Sequence, residues 1–193
     1  TVASTQADHG GPSRSVPLLC EALSERGASV RLVTTVPESE ARGEVLLPGN
    51  GVDTRTVMEA GRLSQLLRSP IAFYRTLRDE VTRAPPDLLH DHGLWLPSNA
   101  AAALVSKRQG IPLVISTRGM LTDWALRHNR WKKRLAWMGY QRHVLRRAAL
   151  FHVTSQEEVD ALRDLGFEQP AAVIPNGVPQ PDASSSNGPT DEG

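Results

Sequence analysis

The sequence predicts an α/β domain, a Rossmann-like doubly wound parallel sheet, and three observations carry the prediction. Short β-rich runs alternate with helical patterns of about 10–15 residues, as when parallel strands are joined by covering helices. Stop and start signals fall between the runs: Gly27, the pair Pro85 and Pro86, and a capping box at Ser155 to Glu158. The chain has 193 residues, 39% hydrophobic and 22% charged, which is an ordinary globular composition and enough length for one well-buried domain.

The elements follow in order. "TVAST" (1–5) reads as the end of a short strand. In "SVPLLCEALSERG" (15–27), Val16, Leu19, Cys20 and Leu23 recur at the i, i+3, i+4, i+7 spacing of one helix face, and Gly27 ends it. Residues 28–35 and 51–57 are strands, and 70–84 is a helix stopped by Pro85 and Pro86. "DLLHDH" (87–92) is a strand, 98–110 an Ala-rich helix, and "PLVIST" (112–117) a strand. A basic helical stretch over 127–147 leads to a strand at 149–155. The capping box opens a helix running to about Leu165, and "AAVIPNG" (171–177) is the last strand and turn. Residues 179–193 are rich in Pro, Ser, Gly and Asp without apolar period, so the domain is expected over 1–178 with a linker or disordered tail after it.

Charge and composition exclude several classes. A net charge of +1 offers no chain-wide attraction to nucleic acid. The single Cys20 precludes an internal disulfide and fits a reducing compartment. No apolar run approaches the ~20 residues of a membrane span. The chain starts at Thr1 and not at Met, so targeting information is not legible from it.

In a doubly wound sheet ligands bind beyond the carboxyl ends of the strands, where three stretches fall. The first is "DHGGPSRS" (8–15). Gly10 and Gly11 allow close backbone approach, and the following helix offers free amides and a positive dipole end to a phosphate. Ser13 is the expected N-cap, Arg14 a charge-assisted contact, and Pro17 is tolerable within the first helical turn. The plainer reading is a Gly-Gly turn that only reverses the chain. The second stretch is "HDHGLW" (90–95), where His90 and His92 share one face of a strand. No third metal ligand is evident, so hydrogen bonding to substrate or a core contact is preferred over a metal. Trp95 either stacks on a sugar or base or packs. The third stretch opens "STRGMLTDWALRHNRWKKRLAW" (116–137). Thr117, Arg118, Gly119 and Met120 follow a strand and should line the same crevice; Trp124, Trp131 and Trp137 then recur among basic residues with Leu126, Leu135 and Met138. A buried Trp stripe with a solvated basic face, a nucleic-acid surface and a helix on anionic lipid all fit that pattern. The local character of the basic excess argues against nucleic acid.

Taken together, "GGPSRSVPLLCEALSERGASVRLVTT", "HDHGLWLPSNAAAA", "PLVISTRGMLTDWALRHNRWKKRLAW" and "VIPNGV" resemble the N-terminal half of retaining family 4 glycosyltransferases. They most resemble the branch that builds bacterial surface polysaccharides. The resemblance covers about residues 9–178, in the expected order. It implies a GT-B enzyme, with two Rossmann-like domains across a cleft, acceptor chiefly on the first and nucleotide-sugar donor chiefly on the second. It places Gly10 and Gly11 at the loop that approaches the donor diphosphate, and Arg118 and Gly119 where a polar side chain faces the reacting sugar. The branch resembles "PRGM", so Thr117 is a departure. Pro175, Asn176 and Gly177 resemble the turn into the interdomain linker. The family's donor-side basic pair and Glu-x7-Glu motif have no counterpart after Gly177.

The resemblance therefore implies the acceptor-side domain of a hexosyl-type transferase, using a nucleotide-sugar as donor substrate, with no cofactor and no metal. The acceptor is a saccharide or is lipid-linked. The expected location is cytoplasmic, peripheral on the inner membrane face, with residues 116–124 as pocket wall. Arg127, Arg130, Lys132, Lys133 and Arg134 form the membrane- or acceptor-facing surface. The alternative is a non-catalytic membrane- or partner-binding module that keeps the fold.

Overall fold

The computed structural model describes residues 1–2, 4–5, 11–37, 44–49, 51–59 and 68–177. Gly10 and the tail expected at 179–193 lie outside them. The elements are α1 (Gly11–Glu25), β1 (Val30–Pro37), β2 (Val52–Glu59), α2 (Arg68–Arg83), β3 (Leu89–His92), α3 (Pro97–Gln109), β4 (Leu113–Ser116), α4 (Asp123–Arg127), α5 (Arg130–Ala136), a π-helical turn (Trp137–Gln141), α6 (Arg142–Arg146), β5 (Leu150–Val153), α7 (Gln156–Asp164) and β6 (Ala171–Val173).

The strands form two parallel ladders, β1 with β2 and β3-β4-β5-β6. The segment at Thr1 and Val2 joins them. Val2 makes a parallel bridge with His92, its N–H donates to the Val33 carbonyl at 3.2 Å, and the Thr1 carbonyl accepts from His92 N–H at 3.0 Å. The sheet therefore reads β2, β1, the N-terminal segment, β3, β4, β5, β6. The chain winds outward in one direction from that segment and then in the other, which is the doubly wound order. The reversal lies between Val2 and β3, where such sheets bind ligands.

Two apolar clusters cover opposite faces. Leu32, on one face, packs with Val2 and with Val16 and Cys20 of α1. Its neighbour Val33 points the other way and joins Phe73, Leu77 and Val81 of α2. The i, i+4, i+8 spacing of those three side chains makes one stripe of that helix. The same larger cluster holds Ala101, Ala102 and Val105 of α3, Ile115, Phe151 and Leu162. Small residues on α3 let its axis come close to β3 and to α2.

Several expectations need correction. Helix α1 begins at Gly11, so Ser13 is a buried residue within the helix and not its N-cap. Pro17 lies beyond the first turn, where it forgoes the bond its N–H would give the carbonyl of Ser13, and its ring is buried. Leu23 is 41% exposed, so the buried α1 face is Ser13, Val16, Pro17 and Cys20. The stretch 127–147 is not one helix. Asn129 adopts φ 53°, a left-handed conformation that Asn tolerates better than most residues, and it separates α4 from α5. The π-helical turn then rotates Gln141 inward, where it is fully buried and accepts the Trp95 N–H at 2.8 Å. Ser155 does stand at the N-cap of α7, but its side chain makes no capping bond. The box fails because Glu158 is engaged elsewhere.

Candidate functional site

Strand pleating decides what faces the crevice. Leu89 and Asp91 point to the α3 side, where Asp91 accepts from Asn99 Nδ2 at 2.9 Å. His90 and His92 therefore share the opposite face, as expected, with ring centroids 4.0 Å apart. In register across the ladder, His92 pairs with Ser116 and Ser116 with His152. A histidine from β5 thus joins the two from β3. The His152 Nδ1 lies 3.3 Å from His90 Nε2, and its Nε2 lies 3.1 Å from the Ile174 carbonyl.

All three rings are held neutral. Burial, foremost, and nearby positive charge that includes Arg118 depress His90 to about 3. His92 is pushed well below its ordinary value by burial and then by His90, and His152 is lowered chiefly by burial. A neutral His92 leaves Nδ1 free to accept, and the Arg118 guanidinium is 3.0 Å away. Among the described residues no group of three His, Cys, Asp or Glu is arranged to hold a metal ion.

Arg118 is the centre of the site. The Met120 N–H donates to the Thr117 carbonyl at 3.0 Å, closing a four-residue turn. Arg118 and Gly119 at its middle have φ of 52° and 72°, the signature of a type I′ turn. Glycine accepts such a conformation freely; arginine does so at a cost of about 1–2 kcal/mol. That strain needs something to hold it, and Glu158 does so. Its buried carboxylate accepts from Thr117 Oγ1 at 2.5 Å, from Gly119 N–H, and from Thr154 N–H and Oγ1, each at 2.7 Å. Burial alone would raise the Glu158 pKa, but these donors together bring it below the ordinary carboxylate value.

The turn delivers Arg118 to the carboxyl edge of the sheet. Its Nη1 donates to Asn176 Oδ1 and lies 3.4 Å from Ser15 Oγ of α1, while Nε is buried with no partner among the described residues. Burial lowers its pKa against the opposing pull of Glu158, and a guanidinium starts high enough to stay a cation. Beside it a cavity of about 340 Å³ opens between α1 and the segment after β6, lined by Arg118, Ser15, Leu18, His152, Ile174 and Asn176 among others. A fixed cation lining a partly apolar cavity is equipped to orient an anionic or polyhydroxyl ligand.

The other expected residues are placed unevenly. His92 meets Arg118 directly. Gly11 starts α1 outside the left-handed region, and a Cβ there would meet none of the described residues within 4 Å, so its φ needs no glycine. Arg14 is exposed and neither it nor Ser13 lines the cavity. Trp95 packs: its Nε1–H donates to the Met120 carbonyl at 3.2 Å, and its ring meets Trp137 at 6.2 Å and the Lys133 ammonium at 5.7 Å. Met120 sits behind the site, its sulfur accepting the Leu94 N–H at 3.2 Å. The side chain of Trp124 lies outside the described residues. Arg127, Arg130, Lys132 and Arg134 are exposed on α4 and α5, whereas Lys133 folds back to the Ala125 carbonyl.

Sequence reasoning missed Ser15, His152, Asn176 and Glu158 as site residues. Asn176 stood in the noted turn and Glu158 in the noted capping box, but nothing local marked either as a partner of residues 117–119.

A model of the glycosyl transferase 4-like domain matches residues 10–177 of the sequence. The chain belongs to this family. Sucrose-phosphate synthase from Thermosynechococcus elongatus superposes on this glycosyl transferase 4-like domain with a TM-score of 0.58 at 18% identity, covering 91% of this chain and 87% of that one. HepE from Anabaena, solved in complex with UDP and glucose, superposes at 0.55 and 16% identity, covering 92% and 44%. A putative UDP-N-acetylglucosamine 2-epimerase from Listeria monocytogenes superposes at 0.56 and 13% identity, covering 86% and 41%. The domain thus spans under half the length of the latter two. No curated protein sequence matches it significantly. At these identities the likeness establishes the fold, a Rossmann-like half of a GT-B architecture.

Proposed function

We propose that this domain is the acceptor-side half of a retaining, family 4-type glycosyltransferase. It would move a sugar from a nucleotide-sugar to a saccharide or lipid-linked acceptor in cell-surface polysaccharide synthesis, in the cytoplasm at the inner membrane face. The nucleotide-sugar serves as donor substrate, and no further cofactor is invoked. The observation that carries the reading is Arg118, held in a left-handed turn by buried Glu158 and lining the cavity as a cation. Strain of this kind is maintained where a side chain must stand ready before its ligand arrives. The binding of UDP and glucose by HepE supports the donor class. Gly11, at the amino end of α1, is the proposed approach to the donor diphosphate. The rest of the machinery belongs to the second wall of the cleft. The 193-residue chain alone is therefore expected to transfer no sugar.

The test is steady-state transfer by the full-length protein and its Arg118→Ala variant, from a panel of nucleotide-sugars. Loss of one preorganised donor is expected to lower kcat/KM by about 10²-fold or more, with the melting temperature nearly unchanged. A folded variant with undiminished turnover would remove Arg118 from the chemistry. A full-length protein that binds nucleotide-sugars but turns none over would be a non-catalytic module on the same fold.

A further inference from the structure

The sequence has three Asn-Gly pairs, beginning at Asn50, Asn176 and Asn187, and the middle pair lies wholly among the described residues. Asn176 and Gly177 line the cavity from an exposed segment that is neither helix nor strand. The chain is anchored just before them. Ile174 N–H donates to the Val153 carbonyl at 2.8 Å, and the Ile174 carbonyl lies 3.1 Å from His152 Nε2. Beyond that anchor the Gly177 N–H has no hydrogen-bond partner among the described residues. The Asn176 side chain, by contrast, is held: its Oδ1 accepts from Arg118 Nη1. Two requirements for converting the side-chain amide to an acid therefore meet here. The nucleophile is the nitrogen of the following residue, which must be free of other bonds and unhindered by a Cβ. The electrophile is Cγ, whose oxygen takes up negative charge as the new bond forms. A guanidinium already donating to that oxygen stabilises the charge, as an oxyanion hole does in acyl transfer.

We propose that Asn176 and Gly177 form a self-modifying site, in which Arg118 promotes deamidation and is then neutralised by the product. The Gly177 nitrogen loses its proton to hydroxide and attacks Cγ of Asn176. The N–Cγ bond forms, the Cγ–Nδ2 bond breaks and Nδ2 leaves as ammonia, which closes a succinimide ring. Water opens that ring at either carbonyl and leaves aspartate or isoaspartate at position 176. One water is taken up and one ammonia released, and the net charge of +1 falls by one. Arg118 then faces a carboxylate in place of an amide oxygen, so the cation lining the cavity becomes half of an ion pair. The conversion uses these three residues and water, whatever the domain transfers.

The experiment ages the full chain at mildly alkaline pH and follows each Asn-Gly pair by peptide mapping and mass spectrometry, with Asn187 as the reference inside the same molecule. Progressive conversion at position 176 is the expected result. Gly177→Ala should slow it about fivefold or more. That variant should fold normally, because Gly177 lies outside the left-handed region and a Cβ there meets none of the described residues within 4 Å. Arg118→Ala should lower the rate at 176 relative to that at 187 by about tenfold or more. Asn176→Asp supplies the product directly. Its carboxylate, followed by carbon NMR, should titrate about one unit or more below an ordinary aspartate, and adding Arg118→Ala should remove that shift. Absence of conversion at 176 would overturn the inference, as would a ratio of the two rates that Arg118→Ala leaves unchanged or raises. An ordinary titration of the new carboxylate would overturn the neutralisation of Arg118.

Discussion

Replacing Glu158 with Gln removes one charge and changes almost no volume, so it isolates what the carboxylate does. Four donors converge on it, from Thr117, Gly119 and twice from Thr154. An amide can accept through one oxygen only, and its NH₂ must then face an N–H or O–H that was previously satisfied. If the oxygen keeps Thr117 and Gly119, the NH₂ meets the Thr154 N–H. The Thr154 hydroxyl can rotate away, but the backbone amide cannot. One unsatisfied buried amide costs about 1–3 kcal/mol, and losing the charge-assisted part of the remaining bonds adds about 1 kcal/mol. A loss of roughly 2–4 kcal/mol is expected, which for a chain of this size corresponds to about 4–16 °C in melting temperature. The charge also has a pH signature. The folded-state pKa is lowered, so the carboxylate's contribution is fully present above its ordinary value of 4.5 and is lost as pH falls below it. The wild type should therefore lose stability between pH 4.5 and the folded pKa through this group, and Glu158→Gln should lack that part of the slope. Urea denaturation at several acidic pH values reads both effects. In the full-length protein, transfer should fall further than stability explains, because the turn that aims Arg118 is loosened. A variant as stable as wild type, with the same acid slope, would refute the idea that Glu158 holds the turn.

Two other outcomes follow from the same region. His90 is depressed to about 3 from 6.5, so the folded state resists protonation that the unfolded chain accepts, and stability falls as pH drops below 6.5. At pH 5 this amounts to about 2 kcal/mol from His90; His90→Gln should flatten the decline between pH 6.5 and 5 in urea titrations, and an unaltered decline would dissociate it from this ring. At Gly11 a Cβ meets none of the described residues within 4 Å, so Gly11→Val should melt within a few degrees of wild type. In the full-length protein it should nevertheless damage transfer, since the added side chain stands where a diphosphate must approach, and full activity in the folded variant would remove the diphosphate from this helix end.

The fold was legible because it depends on local pattern. Strand runs, the stripe of α2 and the stop at Gly27 are set by residues within a few positions of one another, and each lies close to where the sequence puts it. The direction of the two His side chains on β3 followed from pleating alone. What local pattern cannot carry is the choice between partners. Ser155 and Glu158 have the right spacing for a capping box, but a buried carboxylate gains more from four donors than from one amide at a helix end. His152 joins His90 only because β4 sets β5 beside β3 at the right register. The same limit explains the basic stretch. Period alone allowed a single helix with a buried tryptophan stripe; a left-handed Asn129 and a π-helical turn change the phase, so Trp137 faces inward and Trp131 outward.

Thr117 shows how a departure from a family pattern can be reconciled by chemistry. A proline before Arg118 would have no N–H and no side-chain donor, and its ring would stiffen the entry to the turn. Threonine supplies no such stiffness. It offers instead a hydroxyl that reaches Glu158 at 2.5 Å, with its side chain fully buried. The constraint on Arg118 has thereby moved from the covalent ring to a hydrogen bond across 41 residues of chain. A ring restrains the turn at any pH, whereas this bond depends on the ionisation of Glu158. The two readings of Thr117, as a neutral departure or as the partner of Glu158, differ in what Thr117→Val does: the hydroxyl is lost with its shape kept. If the bond restrains the turn, this variant should be less stable by about 1 kcal/mol, and combining it with Glu158→Gln should cost less than the sum of the two.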